Sequence, residues 1–153
     1  MKALTIYQPW ASLIAVGSKM YETRSWQTDY RGPIAIHAGL KFINDFDEGF
    51  AEIAHEKLKA RLPGFTFMHK LPRGCVIAIA ELSDCWRIIE RTGGQIIMIS
   101  GYNKKLLSSH NEHIFGDFAP GRYAWELTNV KPLPEPVPAR GQQGLWEWRE
   151  AKA

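Results

Sequence analysis

Cysteine is nearly missing from this sequence, and so is any long apolar run. Cys75 and Cys85 are the only thiols in 153 residues. Two are too few to frame a disulfide-stapled secreted fold, and they lack the paired spacing of a zinc site, so both are expected in the core. No apolar stretch approaches the roughly 18 to 20 residues that cross a bilayer. The opening segment MKALTIYQPWASLIAVG joins a lysine to apolar residues, but Gln8, Pro9 and Trp10 interrupt any signal-peptide core and no small-residue cleavage site follows. The chain is therefore expected to be cytoplasmic and to have no membrane partner. A strong charge of either sign is missing too. The formal net charge of +3 permits contact with phosphates but falls short of the basic stripe of a dedicated nucleic-acid binder. There is no internal repeat, low-complexity tract or linker, so residues 1–153 are expected to form one domain.

What is present is ordinary globular material, 45% apolar and 23% charged. ALTIY (3–7) reads as a strand. Pro9 then opens a short helix through WASLIAVG, with Gly17 suited to a left-handed C-terminal cap. Met20 to Trp26 alternates with period two, and RGPIAIHAG (31–39) is a further strand with His37 near its end. Residues 43–62 form the clearest helix, capped by Asn44 or Asp45. GCVIAIAEL (74–82) reads as a strand buried on both faces. From Ser83 to Gly121 the pattern predicts one or two short helices and the long loop SSHNEHIFGDFAPG. RYAWELTNV (122–130) is a strand, KPLPEPVPARG is excluded from a central strand by its four prolines, and GLWEWRE closes the chain. Strands outnumber helices. The expected class is α+β, a small mixed β-barrel with peripheral helices, which limits exposed strand edges.

GSKMYETRSW (17–26) concentrates Lys19, Glu22 and Arg24 beside Trp10, Tyr21, Trp26 and Tyr30. Charges on an edge strand guard against aggregation, but aromatics beside them point to a cleft wall. There, rings stack on bases while cations meet phosphate or carbonyl oxygens. His110 and His113 in HNEH could face one ion, yet no third ligand has suitable spacing, so no metal is expected. His37 is a general-base candidate, or a hydrogen-bonded structural histidine. No serine or cysteine beside it suggests a nucleophile pair. The glycines of ARGQQGLW (139–146) either let the backbone approach a ligand or simply turn the chain.

QPWASLI, GSKMYETRSW, YRGPIAIHA, LPRGCVIAIAELSDC, PGRYAWEL and GQQGLW, in this order, resemble an ASCH domain, with Gly17, Lys19, Glu22 and Arg24 matching its G-x-K-x-x-E-x-R signature. The resemblance runs from about residue 3 to 148. It implies a PUA-like barrel with the signature gathered in a cleft, and three kinds of work: RNA or DNA binding, metal-independent RNA cleavage, or hydrolysis of the N4-acyl amide of modified cytidine. The similar bacterial N4-acetylcytidine amidohydrolases carry threonine where Glu22 stands, and use a glutamate further along. Glu112 and Glu81 are both candidates for that role. The expected catalytic set is Lys19, Glu22 and Arg24, with Lys19 as a cation on the oxyanion, Glu22 as the base that activates water, and Arg24 as its orienter. A neutral Lys19 would need its pKa lowered from about 10.4, against the pull of Glu22. Trp10, Trp26, Tyr30, His37 and Gln143 are the expected substrate-binding residues. The expected partner is a cytidine-type nucleoside or single-stranded RNA, with no cofactor and no obligate protein partner.

Overall fold

A computed structural model describes residues 1–108 and 110–150, apart from the side chains of His110 and Asn111. The described residues form a mixed eight-stranded sheet with three α-helices, an α+β architecture. It divides into two compact units. One comprises Met1–Ser18, Pro33–Ala80 and 129 onward; the other comprises Lys19–Gly32 and Glu81–Thr128.

In the first unit, β1 (Lys2–Gln8) runs parallel to β3 (Gly32–Phe42), with Thr5 opposite His37, and antiparallel to β8 (Leu145–Glu147). Ala3, Ala35, Val76, Trp146 and Trp148 form one core cluster, an inward face built from alternate strand positions. The short helix α1 (Trp10–Ala15) follows β1 directly, and its chain reverses at Gly17, where φ is +79°. The turn into α1 is held by Gln8, which is completely buried. Its Oε1 accepts from Ser12 N at 2.9 Å, while its Nε2 donates to Ser12 Oγ at 2.8 Å and to the Pro72 carbonyl at 2.9 Å. Gln8→Ala should cost about 1–3 kcal/mol, because all three polar groups lose their partner at once. Chemical denaturation checks this, and a loss below about 0.5 kcal/mol would refute it.

Helix α2 (Glu48–Arg61) starts later than the sequence pattern predicts. Asp47, not Asn44 or Asp45, is the cap, accepting from Phe50 N at 2.7 Å. Phe46 stays outside the helix and meets Trp10 edge-on at 6.2 Å.

The largest departures lie in the two long strands. β4 (Cys75–Thr92) does not stop near Leu82 but runs on to Thr92, 18 residues in all, and β5 (Gln95–Ser100) and β6 (Asn103–Leu107) extend it as an antiparallel meander. Among the described residues of SSHNEHIFGDFAPG, only His110–Phe115, α3, is helical. The turn at Gly93-Gly94 has φ of +54° and +82°, the left-handed geometry of a tight hairpin. Alternation on either side buries Trp86, Ile88, Ile96 and Met98 against Tyr21, Phe118 and Ala124, which form the core of the second unit.

β7 (Tyr123–Pro138) likewise runs on through KPLPEPVP. Its prolines fall at 132, 134, 136 and 138, all on one parity. Successive N–H groups of a strand point to opposite sides, so the missing donors all lie on one side. Lys131, Leu133, Glu135 and Val137 keep theirs for the other. Leu133 and Val137 pack against the first unit's core. Asn129, at the junction of the two halves of β7, adopts φ +50°, which its side chain tolerates better than most. Among the described residues no helix is long and apolar enough to cross a membrane.

Candidate active site

The signature charges lie within the second unit. β2 (Tyr21–Arg24) pairs antiparallel with β7, placing Glu22 opposite Trp125 and Arg24 opposite Tyr123. Lys19 precedes the strand, outside its alternation, and its ammonium end turns inward. The residue is 1% exposed. Nζ donates to the Tyr21 carbonyl at 2.5 Å and to the Phe115 carbonyl, at the end of α3, at 2.9 Å. Carbonyls at a helix C-terminus are natural partners for a cation.

Two carboxylates complete the cluster. Glu22 Oε1 lies 3.8 Å from Lys19 Nζ, and its other oxygen is gripped by Arg24 through Nε at 3.0 Å and Nη2 at 2.8 Å. Glu112, in the first turn of α3 and 3% exposed, accepts from the Met20 backbone N–H. α3 is thus tied to the start of β2 at both ends, by Glu112 at one and by Lys19 on Phe115 at the other. The charges are neither solvated nor idle: they neutralise one another in a place water scarcely reaches.

Burial acts on the pair in opposite directions. It lowers the Lys19 amine from its ordinary value, against the attraction of Glu22 and Glu112, while Arg24 adds to the lowering. It also raises the Glu112 carboxyl, opposed by the Met20 N–H, by Lys19 and by the Tyr21 N–H. If the amine is neutral it has two N–H groups, both taken by carbonyls, and its lone pair is left for the third direction.

On the opposite face of β2, Tyr21 donates to Glu126 at 3.0 Å, and Lys105 donates to both Tyr21 and Glu126. Lys105 also stands 5.1 Å from the Trp86 ring centroid, a cation–π position. The sequence reading missed this network. Its only sequence signal is the alternation of NKKLL, which turns Lys105 inward.

The remaining expected residues disperse. Trp26 is 37% exposed and meets Trp125 edge-on at 4.6 Å, and the Tyr30 backbone N–H is held by Thr28 Oγ1. Glu81 is half-buried on β4 and makes none of the contacts of the Lys19 cluster. Trp10, in the first unit, packs against Phe46 and Phe50. His37 lies mid-strand rather than near the end of β3, is 1% exposed, and meets the Ala139 carbonyl through Nε2 at 2.8 Å. His37 and Gln143 border one groove of the first unit. The His110 side chain of the HNEH pair lies outside the described residues; among those described, no three His, Cys, Asp or Glu side chains gather closely enough to hold a metal ion.

The sequence model of the ASCH domain matches residues 4–136. The chain belongs to the ASCH domain family. Two curated relatives, activating signal cointegrator 1 of Homo sapiens and of Mus musculus, are each 33% identical to this ASCH domain over 82 residues. That match covers 54% of the chain and 14% of each relative, so the similarity concerns a small part of those longer proteins. In this ASCH domain the signature lysine, glutamate and arginine form one contiguous charge cluster, buried at Lys19 and Glu22 and half-buried at Arg24, which a fourth residue from far along the chain, the buried Glu112, joins.

Proposed function

We propose that this ASCH domain is a metal-independent amidohydrolase working in the cytoplasm, which cleaves the N4-acyl amide of modified cytidine nucleosides to release cytidine and the free acid. One observation carries the proposal: Lys19 and Glu112, both buried, have proton affinities pushed toward each other, the lysine down and the glutamate up. A carboxylate raised by burial is a stronger base than a solvated one, and a buried ammonium in the same cluster can meet a developing oxyanion where little water competes.

In the proposed cycle the substrate carbonyl replaces one main-chain carbonyl at Lys19 Nζ, and the protonated amine holds the oxyanion as water attacks. Glu112 takes the proton from water and passes it to the leaving nitrogen as the C–N bond breaks. Glu22 is the weaker candidate for base, because Arg24 holds one of its oxygens by two hydrogen bonds. It serves instead to orient Lys19, and Arg24 orients Glu22. Cys75 and Cys85 are both free thiols, in keeping with a reducing compartment.

A second reading, binding of single-stranded RNA, is favoured by the exposed Trp26 and by a groove of about 300 Å³ lined by Arg31, Arg87, Gln27 and Tyr123. Against it, the second unit carries eight Lys and Arg residues and eight Asp and Glu residues, leaving no charge surplus for phosphates. Incubating the purified protein with N4-acetylcytidine and following cytidine and acetate tests the hydrolase directly. Stoichiometric release with repeated turnover is expected. No release at high enzyme concentration, together with salt-sensitive binding or cleavage of single-stranded RNA, would overturn it.

A further inference from the structure

The first unit has a groove of its own, about 360 Å³, within the range of small-ligand sites. Its lining residues include two cations, Lys41 and Arg140, and no carboxylate. Both cations are exposed, and neither has an acidic neighbour along this wall to neutralise it. Such a lining selects an anion, and a guanidinium is shaped to take two oxygens of one phosphate. Beside them, Tyr7 is 43% exposed and offers an aromatic ring to the groove. Gln142 and Gln143 add primary amides, each both donor and acceptor, the complement of a nucleobase edge.

The floor carries an unused polar atom. Carbonyl oxygens only accept, so the 2.8 Å contact to Ala139 places the His37 proton on Nε2 and leaves Nδ1 as an acceptor. That Nδ1 is buried and has no hydrogen-bond partner. It faces Gly141, where an added Cβ would stand 2.7 Å from His37 Cε1, 3.0 Å from Nδ1 and 2.9 Å from Thr5 Oγ1. Only glycine lets the chain pass that close to the imidazole, and the groove floor is shaped by that contact. A buried acceptor without a partner is uncommon in folded proteins.

We propose that this groove binds a nucleoside 5′-monophosphate. Its phosphate is taken by Lys41 and Arg140, and its base lies against Tyr7 within reach of Gln142 and Gln143. The site is separate in its residues from the Lys19 cluster, and its test does not depend on amide hydrolysis.

Calorimetric titration of the full chain with AMP, GMP, CMP and UMP is the experiment, with inorganic phosphate, the matching nucleosides and a single-stranded oligonucleotide as comparison probes. At least one mononucleotide should bind about tenfold or more tightly than both its nucleoside and phosphate. The Lys41→Gln/Arg140→Gln double variant should lose about tenfold or more of that affinity with its thermal unfolding unchanged. Gly141→Ala should weaken binding as well, by pressing on His37. The proposal is overturned if no mononucleotide binds, if phosphate alone binds as tightly, or if the double variant binds unchanged. It is also overturned if the oligonucleotide binds more than about tenfold tighter than every mononucleotide, which would assign the groove to a strand.

Discussion

Lys19→Ala should abolish release of cytidine from N4-acetylcytidine, with a loss of about a thousandfold or more, roughly 4 kcal/mol of barrier. The same change removes the amine from the Tyr21 and Phe115 carbonyls and strips Glu22 of one of its two cations. Breaking a buried charge network in this way costs about 3–5 kcal/mol of stability, which a domain of ordinary stability survives with a lower melting temperature. A thermal melt beside the assay therefore separates catalysis from folding. A folded variant that keeps turnover within tenfold of the parent protein would sink the assignment. Should the variant not fold, Glu112→Gln provides the independent test. Its amide oxygen can still accept from Met20 N–H, so the tie between α3 and β2 is kept while the ionisable group is lost.

The pH profile should be a bell whose two limbs both lie inside the interval between the ordinary carboxylate and lysine values. Activity requires Glu112 ionised and Lys19 protonated. Because burial raises Glu112, the acid limb lies above 4.5; because burial lowers Lys19, the alkaline limb lies below 10.5. In Glu112→Gln the residual rate should lose the acid limb and keep the alkaline one. An unchanged acid limb would remove Glu112 from the mechanism.

Stability follows the same shifts with its own signs. A carboxyl raised in the folded state contributes stability that is full below its unfolded value and is lost as pH rises through the folded value. A lysine lowered in the folded state contributes stability present above about 10.5 and lost as pH falls through its folded value. Between the two folded values both groups are charged at a cost to the fold. Sites that spend stability on placing charge are commonly functional ones.

Much of the first unit was legible because its signals are local. ALTIY, the Pro9 turn, Gly17 and PIAIHAG each state their conformation within a few residues, and β1, α1 and β3 appear where the periodicity puts them. The meander after Leu82 was hidden by its own chemistry. Arg87, Glu90 and Arg91 interleave with Trp86 and Ile88, so the inward alternation reads as mixed polarity unless Gly93-Gly94 is taken as a hairpin turn. The site was half legible. Lys19, Glu22 and Arg24 stand together in the sequence, but Glu112 reaches Met20 across 92 positions, and nothing local in HNEHIF distinguishes it from Glu81. Long-range pairing of that kind is decided by tertiary packing alone.

The spacing of prolines in β7 has a consequence for the protein in a crowded cell. An extended strand is a template on which another chain can grow, and its hydrogen-bond donors are what a newcomer needs. From Lys131 to Pro138 every donor on one side is deleted, because each residue that would supply one is a proline. A strand so equipped can be paired from one side only. Its other side refuses to nucleate aggregates, and it does so through backbone chemistry rather than through surface charge.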